Sequence, residues 1–451
     1  MTELTFAAVT HKDGALAEGH PKIGLLDHMG FGNMGDAAIL ESFIANIKKR
    51  IPDAALVAFS LNPDDTRTRH EIVTYPIRAC SPTAGADGPS KTPRVDFKSR
   101  IKGFLEHFPA LHEMLRKVAF PLREMAHWAR TYRVVKSLDA LVLSGGGQLC
   151  ELWKELPYNV FKFCVLAKLS NTPLYIVGVG AGPLDRPWNK VFARWSVRLS
   201  RFTSFRDIES QNLLRDLGVR KETYVCPDPA YAIDLRDYVK GVPGCQARPV
   251  VGLNPMGFCD PRIWPRRDHA IYGTYLDTLA SFARWLLAQG YDVEVFTSDI
   301  VVDHFAIEDL KKRLSMPDGL DSRLVFRPLL TLKELLNQML RFEFVVTSKY
   351  HGVIFSHLLT KPVISLSYHP KIEALMRTVG HHQYCLDIEG FKLTSLLETF
   401  SSLVQNSEDL RSQFRRTTTI YADALKVHFD DLFGPRRRVE RRKRTVPTPS
   451  H

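Results

Sequence analysis

The chain has 451 residues, of which 45% are apolar and 24% charged, enough for two domains that each bury a core of their own. No apolar run reaches the about 18 residues of a membrane span, and the first residues lack the basic start and apolar core of a secretory signal. The net charge of +12 is carried by two segments, Lys91 to Lys136 and Arg436 to Arg444, so the rest of the chain is about neutral and a nucleic-acid-binding body is not expected.

The predicted elements begin after an N-terminal extension, residues 1–20. "KIGLLDH" (22–28) reads as a buried strand, "GDAAILESFIANIKKRI" (35–51) as a helix with Ile39, Phe43, Ile44 and Ile47 on one face, and "AALVAFSL" (54–61) as a second strand. Ser81 to Ser90 is loop by its Ser, Pro and Gly content. Lys98 to Lys136 has helical spacing, with Phe104, Phe108, Leu111, Leu115 and Phe120 as an apolar stripe. It reads as a basic helical insertion over about 85–136. Strands ending in glycine follow at "DALVLSGGGQL" (139–149) and "PLYIVGVGAGPL" (173–184). "RFTSFRD" (201–207) is a short strand before a helix at 208–219, and "TYVCPDPAYAI" (223–233) is a strand running into a loop.

A second series opens at "RPVVGLNPMGF" (248–258), whose Met-Gly-Phe echoes "IGLLDHMGF" near residue 23. A helix at 274–290, a strand at 291–299, helices at 307–314 and 331–340 and strands at 342–348 and 361–368 follow. A helix, "GVIFSHLL", lies between the last two strands. Alternating β and α elements imply parallel sheets. The expected architecture is α/β: two Rossmann-like doubly wound domains facing a cleft, residues 21–240 and 241–433, with ligands beyond the carboxyl ends of the strands. The last long helix, about 405–433, is expected to cross back to the first half. Residues 434–451 are expected to be a basic disordered tail.

The seven cysteines are scattered, odd in number and without CxxC spacing, which fits free thiols in a reducing, cytoplasmic compartment and makes a zinc site unexpected. Gly30, Gly32 and Gly35 in "GFGNMGD" match G-x-G-x-x-G before a helix, but Ser60 stands where a dinucleotide fold would end its second strand in an acid. Asp36 sits where a helix would be capped, and Asn33 lies in the turn itself. Gly145, Gly146 and Gly147 read either as a backbone cradle in the cleft or as a tight turn. Arg206 opens a helix, where its charge opposes the helix dipole, so it reads as a ligand group. Asp228, before Pro229, shapes a loop. In "TSKYHG", Lys349 and His351 stand between a strand and a helix. They fit an anion site with an acid-base group beside it, or a snorkelling lysine and a near-core histidine; spacing leaves both open.

Taken in order, "HMGFGNMGDAAIL", "GGG", "GVGAGPL", "RDIESQNLLRDLG", "DPA", "SKYHG" and "PVISLSYHPKI" resemble the motifs of the polysaccharide pyruvyl transferase family, over about residues 22 to 380. Ala37 stands where the family has an acid, and Lys349 where it has an arginine. The resemblance implies a GT-B-like fold. It also implies transfer of the pyruvyl group of phosphoenolpyruvate onto two hydroxyls of a sugar in a cell-surface polysaccharide precursor, closing a ketal without metal or bound cofactor. It implies that Arg206, Lys349 and Tyr350, with Lys371 as a further cation, face the donor, and that His351 is the catalytic acid or base. Asn33, Asp36 and Gly145 to Gly147 are then cleft or acceptor groups. The expected partners are phosphoenolpyruvate and a sugar or lipid-linked oligosaccharide, with peripheral contact to an anionic membrane through the two basic segments and no nucleic acid. Two other readings share the fold: a glycosyltransferase with a nucleotide-sugar donor, whose ribose Glu373 would hold, and a non-catalytic sugar- or phosphate-binding relative.

Overall fold

The computed structural model describes residues 4–6, 20–27, 30, 32–79, 109–151, 156–239, 247–315, 321–327, 331–434 and 444–446. The expected loop at Ser81 to Ser90, the stripe residues Phe104 and Phe108, the side chains of Leu111, Leu115 and Phe120, and most of the expected N-terminal extension and basic tail lie outside what is described. Leu4–Phe6 (β1) pairs antiparallel with Arg444–Val446 (β15).

The first sheet is parallel and seven-stranded. Its strands are β2 (Lys22–Leu26), β3 (Ala55–Ser60), β4 (Val73–Pro76), β5 (Ala140–Ser144), β6 (Leu174–Val179), β7 (Phe202–Phe205) and β8 (Tyr224–Val225), in the order 4-3-2-5-6-7-8. The second is parallel and six-stranded, with β9 (Val250–Asn254), β10 (Asp292–Val295), β11 (Leu324–Phe326), β12 (Phe344–Thr347), β13 (Val363–Ser367) and β14 (Cys385–Asp387) in the order 11-10-9-12-13-14. Central strands such as β5, β6, β9 and β13 are buried along their whole length, which is why they read as unbroken apolar runs. In both sheets the order reverses once, between β2 and β5 and between β9 and β12. A crevice opens beyond the strand ends at such a point.

Helices cover both faces of the first sheet. Ile23, Leu25, Val142 and Val177 face α1 (Met34–Arg50), while α2 (Pro63–His70) returns the chain to β4. Leu26, Leu141, Leu143 and Ile176 face the opposite layer, where α3 (Pro109–Lys136), α4 (Leu156–Leu169) and α5 (Pro187–Leu199) lie side by side, followed by α6 (Ile208–Asp216). Around the second sheet run α7 (His269–Ala288), α8 (His304–Leu314), α9 (Leu332–Leu340), α10 (Tyr350–Leu358), α11 (Pro370–Thr378) and α12 (Leu393–Gln405). The sequence reading missed α2, α4, α5, α11 and α12 and began α7 five residues late; Asp268 caps α7 by accepting from Ala270 and Ile271 N–H.

The last helix, α13 (Ser407–Phe433), crosses back to the first sheet's layer. Phe429 meets Phe43 edge-on at 5.2 Å, Arg50 pairs with Asp430 at 2.7 Å, and His428 Nε2 lies 3.0 Å from Ser204 Oγ. At its other end Phe414 packs on His357 of α10. One apolar core therefore runs through both halves. Truncating Phe429 to alanine is expected to cost about 3–5 kcal/mol of stability in a denaturant titration, because the ring is fully buried between the layers. A loss under 1 kcal/mol would contradict this packing.

Candidate active site

The two crevices face each other, and one loop joins them. Gly30 and Gly32 have φ of +111° and +70°, a backbone that favours glycine, and they turn the chain from β2 into α1. At that turn Met34 N–H donates to Ser298 O at 2.7 Å and Ile300 N–H to Gly32 O at 3.0 Å, so Asn33 bridges to Asp299 in the loop after β10. The Asn33 side chain is not left for a ligand. It accepts from Gly35 and Asp36 N–H and caps the helix, meeting donors that a helix start leaves orphaned. This corrects the expectation that Asn33 is a cleft or acceptor group; Asp36, not needed as the cap, stays among the charged groups of the cleft.

Gly35 is the seat of His351. A Cβ built on Gly35 would lie 1.8 Å from His351 Nδ1, so no other residue leaves room for the imidazole. His351 Nε2 is 3.9 Å from Asp228 Oδ1 and has no hydrogen-bond partner among the described residues. Burial, then the charges of Arg206 and Lys371, holds its pKa well below the ordinary imidazole value. His369 responds to the same causes and is pushed down to about 3. Both rings are neutral at pH 7.

Asp36 shifts the other way. Loss of water, then Asp299 and Asp228, pushes its carboxyl up to about 7 against the pull of Lys371 and Arg206. The cleft thus holds a neutral base and a carboxyl that keeps its proton near neutrality, an arrangement suited to acid-base work.

Arg206 is buried at the end of β7. Its guanidinium lies 4.5 Å from the centre of the Tyr350 ring, 3.3 Å from Asp228 and 3.5 Å from Asp207. Asp207, not Arg206, caps α6. Burial would lower the Arg206 pKa, but the groups around it raise it, so the charge is permanent. Gly180 admits the guanidinium, since a Cβ there would come 2.6 Å from its Nε. Lys371, from α11, lies 5.6 Å from the same Tyr350 ring. Tyr350 is therefore flanked by two cations. Of the three expected cradle glycines, Gly147 approaches Arg206. Gly145 and Gly146, with φ of +61° and +70°, abut Ile39 and Gln148, and the Gln148 amide donates to Asp27.

Lys349 is also at the seam, but its ammonium lies 2.8 Å from Asp303 and 3.6 Å from Asp299. Burial opposes its charge and the two carboxylates outweigh that, raising its pKa. Asp299 and Asp303 were not singled out in the sequence; a strand ending in "TSD" with a second acid four residues on was the available signal. Lys349→Met is expected to destabilise the chain by about 3–5 kcal/mol in urea, because it strands two buried carboxylates. An unchanged midpoint would mean that the pair contributes nothing. Among the described residues no three His, Cys, Asp or Glu side chains converge to hold a metal ion.

Residues 33–370 match the family model described as polysaccharide pyruvyl transferase. The chain belongs to the polysaccharide pyruvyl transferase family. It is also similar to the amylovoran biosynthesis protein AmsJ of Erwinia amylovora, 18% identical over 90% of this chain and 99% of that protein. Among solved structures it resembles the UDP co-structure of S. aureus MnaA (TM-score 0.57, 12% identity, 90% of this chain and 94% of that one). It likewise resembles Anabaena Alr3699/HepE in complex with UDP (TM-score 0.53, 14% identity, 91% and 98%). At such identities the likeness concerns the fold, and this pyruvyl transferase family member has the two-domain GT-B architecture expected for it. No helix among the described residues is long and apolar enough to cross a membrane.

Proposed function

We propose that this chain transfers the pyruvyl group of phosphoenolpyruvate to two hydroxyls of a sugar in a cell-surface polysaccharide precursor. The observation that carries the reading is the convergence of Arg206 and Lys371 on Tyr350, beside neutral His351 and protonatable Asp36. The donor has two anionic groups, a phosphate and a carboxylate, and two cations here match them. Lys349, already paired with Asp303 and Asp299, acts by holding those carboxylates in place next to the donor.

In this scheme Asp36 gives its proton to the donor's methylene carbon, which becomes methyl, and positive charge builds on the adjacent carbon. A first sugar hydroxyl attacks that carbon and passes its proton to His351 Nε2. Phosphate leaves, and the second hydroxyl closes the ketal. Of the two hydroxyl protons, one replaces the proton on Asp36 and the other leaves with phosphate, so the residues end as they began.

The test is to supply the chain with phosphoenolpyruvate and a panel of sugar and lipid-linked acceptors and to measure inorganic phosphate and a quaternary ketal carbon. Both are expected to form together. Release of UDP from a UDP-sugar, with phosphoenolpyruvate untouched, would overturn the reading in favour of a glycosyltransferase.

A further inference from the structure

Helix α5 carries apolar side chains on two faces. It buries Ala193 and Val197, with Asn189 and Ser196, against the first sheet. It turns Trp188, Val191 and Trp195 outward, 72%, 41% and 43% exposed. The spacing of the three, at i, i+3 and i+7, is that of one helix face. Large apolar side chains ordinarily occupy the buried side, because burying each one stabilises the fold. A helix that also turns large apolar side chains outward has a second apolar surface to meet.

The charge around that face says which. From Arg186 to Arg201 the sequence "RPWNKVFARWSVRLSR" has five Arg or Lys and no Asp or Glu. The Arg198 guanidinium lies 5.3 Å from the centre of the Trp195 ring. Phe192 stacks on Phe161 of α4 at 5.2 Å and meets Tyr158 at 5.7 Å, so the aromatic surface continues onto the neighbouring helix. Tryptophan and arginine side by side on an otherwise acid-free helix match the headgroup level of an anionic bilayer, where indoles enter the interface and cations meet phosphates.

The placement relative to the cleft is informative. Helices α4 and α5 start from the loops after β5 and β6, at the carboxyl ends of the strands, where the crevice opens. Those loops are tied together: Arg186 N–H donates to Glu151 Oε1 at 2.8 Å, and Glu151 N–H to Pro183 O at 3.1 Å. Trp188 thus stands on the rim of the cleft. We infer that the Trp188–Trp195 face of α5 docks the protein on an anionic lipid surface, with the cleft mouth turned toward it. If the proposed function holds, this lets a lipid-linked sugar reach Asp36 and His351 without leaving the membrane.

The experiment is co-sedimentation of the full chain with vesicles of phosphatidylcholine, with and without roughly one-third phosphatidylglycerol, for wild type and for Trp188→Ser/Trp195→Ser. Wild type is expected to bind the anionic vesicles, to weaken with salt, and to show tryptophan quenching by brominated lipid. The double variant is expected to bind about tenfold or more weakly. Its melting temperature and its phosphate release with a water-soluble acceptor are expected to stay unchanged. Equal binding by the double variant overturns the inference, as does absence of wild-type binding, or a wild-type dimer that the double variant dissolves. Binding requires no turnover, so failure of the proposed chemistry would leave this result readable.

Discussion

Gly35→Ala is expected to lower turnover by about 100-fold or more while the fold survives. Alanine inside a helix is ordinarily favourable by about 1 kcal/mol over glycine, and Gly35 needs no unusual backbone angle, so its small size serves something other than the helix. What it serves is His351, whose Nδ1 occupies the space 1.8 Å from where the new Cβ would be. The imidazole must move by more than 1 Å, and a displacement of that size at the reacting groups costs about 100-fold. His351→Asn, which removes the base and leaves the room, is expected to lose about 100- to 10,000-fold. The measurements are kcat for phosphate release and a thermal melt on each variant. A Gly35→Ala chain that is more stable and equally active would mean that His351 does not work from this seat.

Asp36 predicts an unusual combination in one substitution: Asp36→Asn is expected to stabilise the protein at pH 8 while removing most of its activity. The folded pKa, about 7, is above the ordinary 3.8. The folded chain therefore holds a proton that the unfolded chain has released, and its stability falls as pH rises through that interval. Asparagine, neutral throughout, avoids the loss, so its advantage should grow between pH 3.8 and about 7 and then level off. Activity that needs protonated Asp36 should decline as pH passes about 7 in the free enzyme. An anionic donor on Arg206 and Lys371 would raise that carboxyl further, so binding at pH 7.5 should take up protons. Calorimetry in buffers of different ionisation enthalpy measures that uptake. A flat stability difference between wild type and Asp36→Asn across pH would refute the shifted carboxyl.

Much of this architecture was legible because buried parallel strands leave an unmistakable trace. "LVLS", "LYIVGV" and "FVVT" are apolar on both faces, and their glycine or polar endings mark the crevice. Arg206 stood out by its charge at a helix start, whereas His351 was open on spacing alone and Tyr350 and Lys371 came only with the family resemblance; the structure brings the four together. Other features were hidden. Helix α5 breaks the rule that periodicity points inward, since Trp188 and Trp195 face out, and so its pattern does not announce a helix on a sheet. The capping role falls to Asn33 and not to Asp36, because a difference of three residues decides which side chain reaches the orphaned N–H groups. Only the turn geometry of Gly30 and Gly32 fixes that. Lys349 likewise looked like a donor ligand until Asp299 and Asp303, some fifty residues earlier in the chain, arrived beside it.

The pair of backbone hydrogen bonds, Met34 N–H to Ser298 O and Ile300 N–H to Gly32 O, acts as a clasp between the halves. Asp36, Arg206 and Asp228 come from one side of it and Tyr350, His351 and Lys371 from the other, so neither half holds a complete set. Moving the halves apart at the clasp would lift Gly35 from His351, so the assembled site needs the clasp and the shared core together. These two backbone bonds, between mostly buried residues, contribute roughly 1–3 kcal/mol together to holding the halves closed.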